Sequence, residues 1–170
     1  VFQGVEGAYS FGAMKEFFDD TITSFHVDTW KEAMEAITKG EADYAVLPIE
    51  NSTAGIVSDI YDLLVEYPHY IVGEQELPVE HVLMALPGAK VEDIRTVISH
   101  PQALAQCRRF LDSNENWKTE ERLNPAAAAK EVSESGDLTM AAVGSPYAAE
   151  HFGLQILKEG IFDAQGNTTR

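Results

Sequence analysis

Residues 96–107 read TVISHPQALAQC, and this stretch decides the fold class. Its first three residues are β-branched, which is typical of a strand. His100 and Pro101 then have the order of a helix N-cap and a first helical residue, a position where proline loses no hydrogen bond. A strand that leads directly into a capped helix is the repeating unit of α/β proteins.

Two further helices are predicted to begin in the same way. Asn124 and Pro125 precede an alanine-rich run, and Ser145 and Pro146 follow the apolar residues 139–143. Strands that alternate with helices predict parallel pairing and an α/β fold. In open sheets of this class, ligands bind beyond the carboxyl ends of the strands, where these capped helices also begin.

The first half of the chain has a similar pattern. We expect Ser10 to cap a helix after a short strand, and Thr29 and Glu32 to form a capping box at the next helix. Residues 44–47 are short and apolar, as expected for a buried strand. The polar residues 50–53 come next, and we expect a third helix to begin there.

The charge balance limits the classes of partner. The chain has 12 Lys and Arg against 28 Asp and Glu, a net charge of −16. A nucleic-acid or anionic-membrane surface needs a basic face, so both are excluded as partners. No apolar run approaches the roughly 18 residues of a membrane span, and we expect a soluble protein. Any anion site must be built from helix N-termini, backbone amides and a few cations.

The cysteine and histidine residues suggest structural roles. Cys107 is the single cysteine, which excludes an internal disulfide, and residues 1–4 do not resemble an export signal. Both features favour a cytoplasmic location. Cys107 is expected to pack inside, and His81 to make a structural hydrogen bond. Because the histidine spacings do not suggest a metal site, we expect no metal.

Four polar stretches together carry a family resemblance. They are GAYS at 7–10, ENSTAG at 50–55, SHPQALAQC at 99–107 and NTTR at 167–170. In this order and at these separations they resemble the prephenate dehydratase family, and the likeness covers essentially the whole chain. For any one stretch alone, helix capping is the alternative interpretation.

The resemblance implies an architecture. The expected fold is two-lobed and α/β, like that of type II periplasmic binding proteins, with the active site in the interlobe cleft. We place lobe 1 at residues 1–73 and 153–170 and lobe 2 at residues 74–152. The family also implies a C-terminal ACT domain, which these residues do not contain, with L-phenylalanine as its feedback effector. A homo-oligomer is expected for the full-length protein.

The resemblance also implies a reaction. Prephenate would lose water and carbon dioxide to give phenylpyruvate, a carbon–oxygen lyase step of phenylalanine biosynthesis in the shikimate pathway, without a cofactor. One alternative is arogenate dehydratase, which performs the same elimination on an aminated side chain. The other is a non-catalytic domain that binds or senses a small anion, since fold does not determine function.

The family motifs imply the site residues. Thr169 matches the threonine at the leaving hydroxyl, and we expect a polarising donor or relay there because a threonine hydroxyl is a very weak acid. Glu50 is a second catalytic candidate, as a proton source. Arg170 is expected either to bind a carboxylate or to stabilise its strand. The substrate-binding candidates are Ser10, Asn51, Ser52, Thr53, Gly55, Ser99, His100, Gln102, Gln106 and Arg170.

Overall fold

The computed structural model describes residues 1–18, 21–163 and 166–170. The strands are β1 (Phe2–Gln3), β2 (His26–Val27), β3 (Glu50–Asn51), β4 (Gly55–Ile56), β5 (Leu77–Pro78), β6 (Val82–Ala85), β7 (Thr96–Ser99), β8 (Lys118–Glu121), β9 (Met140–Gly144), β10 (Gln155–Lys158) and β11 (Thr168–Thr169). The α-helices are α1 (Tyr9–Phe17), α2 (Trp30–Thr38), α3 (Ser58–Glu66), α4 (Pro101–Gln106), α5 (Arg108–Asp112), α6 (Pro125–Ser135) and α7 (Pro146–His151). A single turn of 3₁₀ helix covers Val91–Asp93.

The chain forms two compact units. Unit 1 comprises Val1–Val79 and Gly166–Arg170, and unit 2 comprises Glu80–Gln165. Both boundaries lie further along the chain than the sequence predicted. The reason is strand pairing: β5 pairs with β11 inside unit 1, and β10 pairs with β6 inside unit 2.

Unit 1 contains two small sheets. Strands β1 and β2 are parallel, with Phe2 opposite His26, and the second sheet has the antiparallel order β4-β3-β11-β5. The capping box of α2 is confirmed: the Thr29 hydroxyl accepts from Glu32 N at 3.2 Å, and the Glu32 carboxylate accepts from Thr29 N at 2.9 Å. Met34 and Ile60 are buried on the inner faces of α2 and α3, respectively.

Unit 2 is built on a five-stranded mixed sheet of order β10-β6-β9-β7-β8. Strand β7 is parallel to both β8 and β9, whereas β6 is antiparallel to β9 and β10. Helix α6 covers β9 and buries Ala128, Ala129 and Val132. The predicted N-caps of α4, α6 and α7 are all confirmed, with side chains of His100, Asn124 and Ser145 accepting from backbone N–H groups. The α/β fold class is confirmed, although the parallel pairing predicted throughout holds only for part of each unit.

Two predictions for unit 1 are wrong in their secondary structure. Residues 44–47 do not form a buried strand: Val46 makes a single bridge to Phe2, and Tyr44 is 51% exposed. Residues 50–53 do not begin a helix. They enter a hairpin between β3 and β4 whose short loop can join only antiparallel strands, and the next helix begins at Ser58.

The predicted cap at Ser10 is also wrong. Helix α1 begins at Tyr9, after Ala8, and its N-cap makes no side-chain hydrogen bond. Ser10 lies inside the first turn, where its hydroxyl donates to the carbonyl of Gln3 at 2.5 Å and so ties α1 to β1. Across the described parts of the chain, no helix is both long and apolar enough to cross a membrane.

Candidate functional site

A cavity of about 790 Å³ lies within unit 1. Its volume is in the range of small-molecule sites, which are roughly 300–1,000 Å³. Four of the predicted site residues line it: Ser10, Glu50, Thr169 and Arg170. Three of the sequence motifs, which begin at residues 7, 50 and 167, therefore contribute residues to the lining of this cavity. These residues come from α1, from β3 and from β11 with the residue after it.

Apolar side chains from three helices line the same cavity. Phe17 comes from α1, Met34 and Ile37 from α2, and Ile60 and Leu64 from α3. A wall of this kind suits an apolar ring, whereas the charged groups of a ligand would need the polar wall at β3 and β11.

Strand β11 lies inside its sheet and is not an edge strand. Thr169 pairs with Asn51 of β3 on one side and with Leu77 of β5 on the other. On the β3 side, Arg170 N donates to Glu50 O at 2.9 Å and Ile49 N donates to Arg170 O at 2.7 Å. Pairing on both sides holds the Thr169–Arg170 backbone in place at the cavity.

The hydroxyl of Thr169 has a defined neighbour. Asn51 Nδ2 donates to Thr169 Oγ1 at 2.9 Å. Asn51 Oδ1 accepts from the backbone N–H groups of Thr53 and Ala54, both at 2.9 Å, which determines which end of the amide is oxygen. Because the Thr169 oxygen accepts a hydrogen bond, its own proton is available to donate, and no described residue accepts it.

Arg170 lies between two carboxylates. Its Nη2 is paired with Glu50 Oε1, and its Nη1 lies 3.5 Å from Glu74 Oε2. The hydrogen bond and the charge of Glu50, followed by the charge of Glu74, raise the pKa of the Arg170 guanidinium above its usual value. A guanidinium has five N–H donors, so Arg170 retains donors for a ligand carboxylate. Glu50 accepts a hydrogen bond from Arg170 in this arrangement, and its role as a proton source stays a prediction.

The remaining residues of the hairpin motif hold the hairpin to β11. The Ser52 hydroxyl donates to Gly166 O at 3.1 Å and accepts from Thr168 N at 2.9 Å. The Thr53 hydroxyl donates to the side chain of Asn167, which is 8% exposed, at 3.2 Å. Gly55 has φ +85°, a conformation that explains glycine at the end of the turn. The predicted binding residues of this motif thus have partners within unit 1.

The four predicted residues in unit 2 also have local roles. Ser99 is fully buried and donates to Val143 O at 2.6 Å, which links β7 to β9. His100 Nδ1 accepts from Gln102 N at 3.2 Å as the cap of α4, and the Gln102 residue itself is exposed. Gln106 Oε1 lies 2.9 Å from the His81 ring.

His81 and Cys107 behave as the sequence predicted. His81 makes the expected structural hydrogen bond to Gln106, and its burial lowers the pKa of the imidazole. Cys107 is fully buried; burial, and then the charge of Asp163, raises the pKa of the thiol to about 12. A thiol with such a pKa is not a nucleophile at neutral pH.

Comparison with known proteins identifies the family. A sequence model described as prephenate dehydratase matches residues 1–170. The chain belongs to the prephenate dehydratase family. Arogenate dehydratase 1 of Petunia hybrida is 44% identical over 170 residues, covering 99% of this chain and 40% of that protein. The bifunctional chorismate mutase/prephenate dehydratase of Enterobacter agglomerans is 34% identical over 172 residues, covering 99% of this chain and 44% of that protein.

Two solved structures from the comparison share the fold. Prephenate dehydratase from Arthrobacter aurescens, in complex with L-Phe, has a TM-score of 0.77 and 30% identity, covering 99% of this chain and 57% of that one. A protein described as a novel type of quorum-quenching acylase has a TM-score of 0.85 and 39% identity, covering 99% and 60%. This chain of the prephenate dehydratase family therefore spans under two thirds of each of these relatives.

Two features of this family member were missed by sequence reasoning. Glu74 was not selected, because it lies in an extended segment with no motif around it, yet it approaches Arg170. The apolar wall was also missed, since Met34 and Ile60 have the helical spacing of ordinary core residues. Only the arrangement of the three helices shows that these side chains border a cavity.

Proposed function

We propose that the protein containing this chain dehydrates and decarboxylates prephenate to phenylpyruvate. The observation that carries the proposal is Thr169: its oxygen accepts from Asn51, its proton remains available, and it lines the cavity next to Arg170. The family membership and the names of the relatives support the same reaction.

The proposed reaction needs a correctly oriented substrate more than it needs a strong acid at the leaving hydroxyl. Prephenate carries two carboxylates and a ring hydroxyl. As the ring carboxylate leaves as carbon dioxide, its bonding electrons enter the ring, and the carbon–oxygen bond to the hydroxyl breaks. Thr169 donates a hydrogen bond to the departing oxygen, which takes a proton delivered from solvent or by Glu50 and leaves as water. Arg170 binds a carboxylate, and the apolar wall contacts the ring.

The test is turnover of prephenate by the whole protein, followed through phenylpyruvate. Thr169→Ala is expected to lower kcat by about 10²-fold or more with little change in KM, because the hydrogen bond strengthens as charge develops on the leaving oxygen. Thr168→Val is the matched control, since Thr168 is the neighbouring residue of the same strand and is not among the described cavity residues. Normal kcat in Thr169→Ala would remove Thr169 from the mechanism.

Arogenate is the second candidate substrate. Petunia arogenate dehydratase 1 is 44% identical to this chain, and the carboxylate of Glu74 beside Arg170 offers an acceptor for an ammonium group. Prephenate and arogenate should be assayed side by side, and a higher kcat/KM for arogenate would favour this candidate. Binding of either without product would favour a non-catalytic sensor domain.

The quorum-quenching neighbour raises the question of acylase activity. Acyl transfer needs an activated nucleophile. Cys107 is the single cysteine, and its buried thiol has a pKa of about 12, which argues against a thiol-dependent acylase. Release of a fatty acid from an N-acyl substrate by wild type but not by Cys107→Ala would contradict this conclusion.

Regulation and location concern the whole protein. The relative from Arthrobacter aurescens is described in complex with L-Phe, and we propose L-phenylalanine as an effector that binds outside this chain. Several relatives from Arabidopsis thaliana are described as chloroplastic. The cytoplasmic location expected from the sequence therefore stays a prediction.

A further inference from the structure

The hydrogen bonds around Asn51 determine which end of its side-chain amide is oxygen and which is nitrogen. Its Oδ1 accepts two backbone N–H groups of the hairpin turn, from Thr53 and Ala54, and these contacts use both lone pairs of the oxygen. The opposite end of the amide is therefore Nδ2, and one of its two N–H groups points at Thr169 Oγ1. The turn thus orients a donor toward the hydroxyl of the neighbouring strand.

We infer that Asn51 is a positioning residue, which acts through Thr169 and makes the Thr169 hydroxyl a hydrogen-bond donor. The inference rests on the proposed dehydration reaction. A threonine hydroxyl has one proton and two lone pairs, and it turns its proton toward any acceptor within reach. Since Asn51 offers Thr169 a donor and not an acceptor, the proton of Thr169 is directed elsewhere.

The contact with Asn51 has two consequences for the Thr169 hydroxyl. It restricts rotation of the hydroxyl, so less rotational freedom is lost when the leaving oxygen arrives. It also polarises the O–H bond, because a hydroxyl that accepts a hydrogen bond becomes a better donor in a chain of such bonds. Both effects strengthen the donor at the atom where the proposed reaction develops negative charge.

The surroundings argue against direct substrate binding by Asn51. Three of its hydrogen-bonding groups are already engaged, and Asn51 is not one of the described residues that line the cavity, whereas Glu50, Thr169 and Arg170 are. The inference therefore assigns Asn51 a contact with Thr169, and not the direct contact with substrate that the sequence predicted.

An aspartate at this position separates the two roles. In Asn51→Asp, one carboxylate oxygen keeps the turn contacts to Thr53 and Ala54, and the side chain keeps its size. The second oxygen is an acceptor, so Thr169 turns its proton toward residue 51 and away from the leaving hydroxyl. We expect kcat of the whole protein to fall by about 10²-fold, as in Thr169→Ala, with an unchanged urea midpoint.

The pH profile gives a readout that a structural role would not change. As pH falls through the titration range of an aspartic acid, near 4 in model peptides, the introduced carboxyl gains a proton and becomes a donor again. The kcat of Asn51→Asp relative to wild type should therefore rise as the pH is lowered, after subtraction of the uncatalysed reaction. A ratio that is constant with pH would overturn the inference.

A double-mutant cycle tests whether Asn51 acts through Thr169. In a Thr169→Ala background, Asn51→Asp should cause no further loss of kcat, because the hydroxyl that it reorients is gone. If the fold-losses of kcat from the two substitutions multiply, Asn51 acts independently of Thr169. An effect of Asn51→Asp that is confined to a higher KM would indicate repulsion of the anionic substrate. Asn116→Asp, in an exposed loop, adds the same charge and should behave as wild type.

An NMR measurement that needs no turnover tests the Asn51–Thr169 contact independently of the proposed function. The side-chain amide protons of Asn51 should shift in ¹⁵N-edited NMR spectra of Thr169→Val but not of Thr168→Val. An unshifted Asn51 signal would overturn the inference even if the enzyme is active. Absence of turnover by wild type on both prephenate and arogenate would instead overturn the proposed function.

Discussion

At the scale of single residues, His81 shows how burial sets the behaviour of a polar group. The residue is 4% exposed, and its Nε2 lies 2.9 Å from Gln106 Oε1 while its ring meets Phe162 edge-on. Removal from water disfavours the charged imidazolium more than the Gln106 contact favours it, so the pKa is lowered.

This lowered pKa predicts a pH-dependent stability. The unfolded chain binds a proton at His81 near pH 6.5, whereas the folded chain does so only at lower pH. The stabilisation is therefore fully present above pH 6.5 and is lost as pH falls toward the folded pKa, with a slope of at most about 1.4 kcal/mol per pH unit for one proton. Urea unfolding between pH 7.5 and 5 measures it.

Two variants isolate the contribution of His81. His81→Gln should remove this part of the pH dependence, whereas His26→Gln, at an exposed residue, should keep it. An equal slope in wild type and His81→Gln would show that other groups cause the dependence.

At the scale of elements, three helices of unit 2 begin with a cap and a proline. In α6 the Asn124 side chain accepts from Ala127 N at 2.7 Å, Pro125 takes the first helical position, and Gly136 ends the helix with φ +65°. The helix then places Val132 against the sheet. The cap therefore stabilises a helix that covers much of the core of unit 2.

Asn124→Ala should lower the free energy of unfolding by about 1 kcal/mol, because the N–H of Ala127 loses its partner. Chemical denaturation followed by circular dichroism measures this change. Asn116→Ala, in an exposed loop, is the control and should change stability by less than about 0.5 kcal/mol. A loss of similar size in both variants would contradict a specific capping effect.

At the scale of the whole molecule, residues 166–170 belong to unit 1 although they follow unit 2 in sequence. Strand β11 pairs with β3 and β5, so a segment that follows all of unit 2 in sequence occupies an inner position in the antiparallel sheet of unit 1. The Asn51–Thr169 contact joins residues 118 positions apart. The antiparallel sheet of unit 1 therefore depends on a strand that comes after unit 2 in the chain.

Deletion of residues 168–170 tests this dependence. We expect the backbone amides of β3 and β5 to lose protection from hydrogen exchange, because the strand between them is missing. The amides of β7 and β9, which pair with each other in unit 2, should keep their protection. Unchanged exchange in β3 and β5 would show that β11 is not required by this sheet.

Local chemistry alone determined the capped helices of this chain, whereas the family motifs implied the residues that line the polar wall of the cavity. The caps at Thr29, His100, Asn124 and Ser145 depend on groups within three residues of each other, and so they follow from short-range rules. The motifs likewise identified Ser10, Glu50, Thr169 and Arg170 as residues of one site. All four line the same cavity.

Only the tertiary structure decided what these residues contact. The antiparallel sheet around β11, the pairing of Arg170 with Glu50 and the hydrogen bond from Asn51 to Thr169 all join segments far apart in sequence. No local propensity specifies such partners, because strand pairing and register depend on which segments the rest of the fold brings together. The donor role that we propose for Thr169 depends on that pairing.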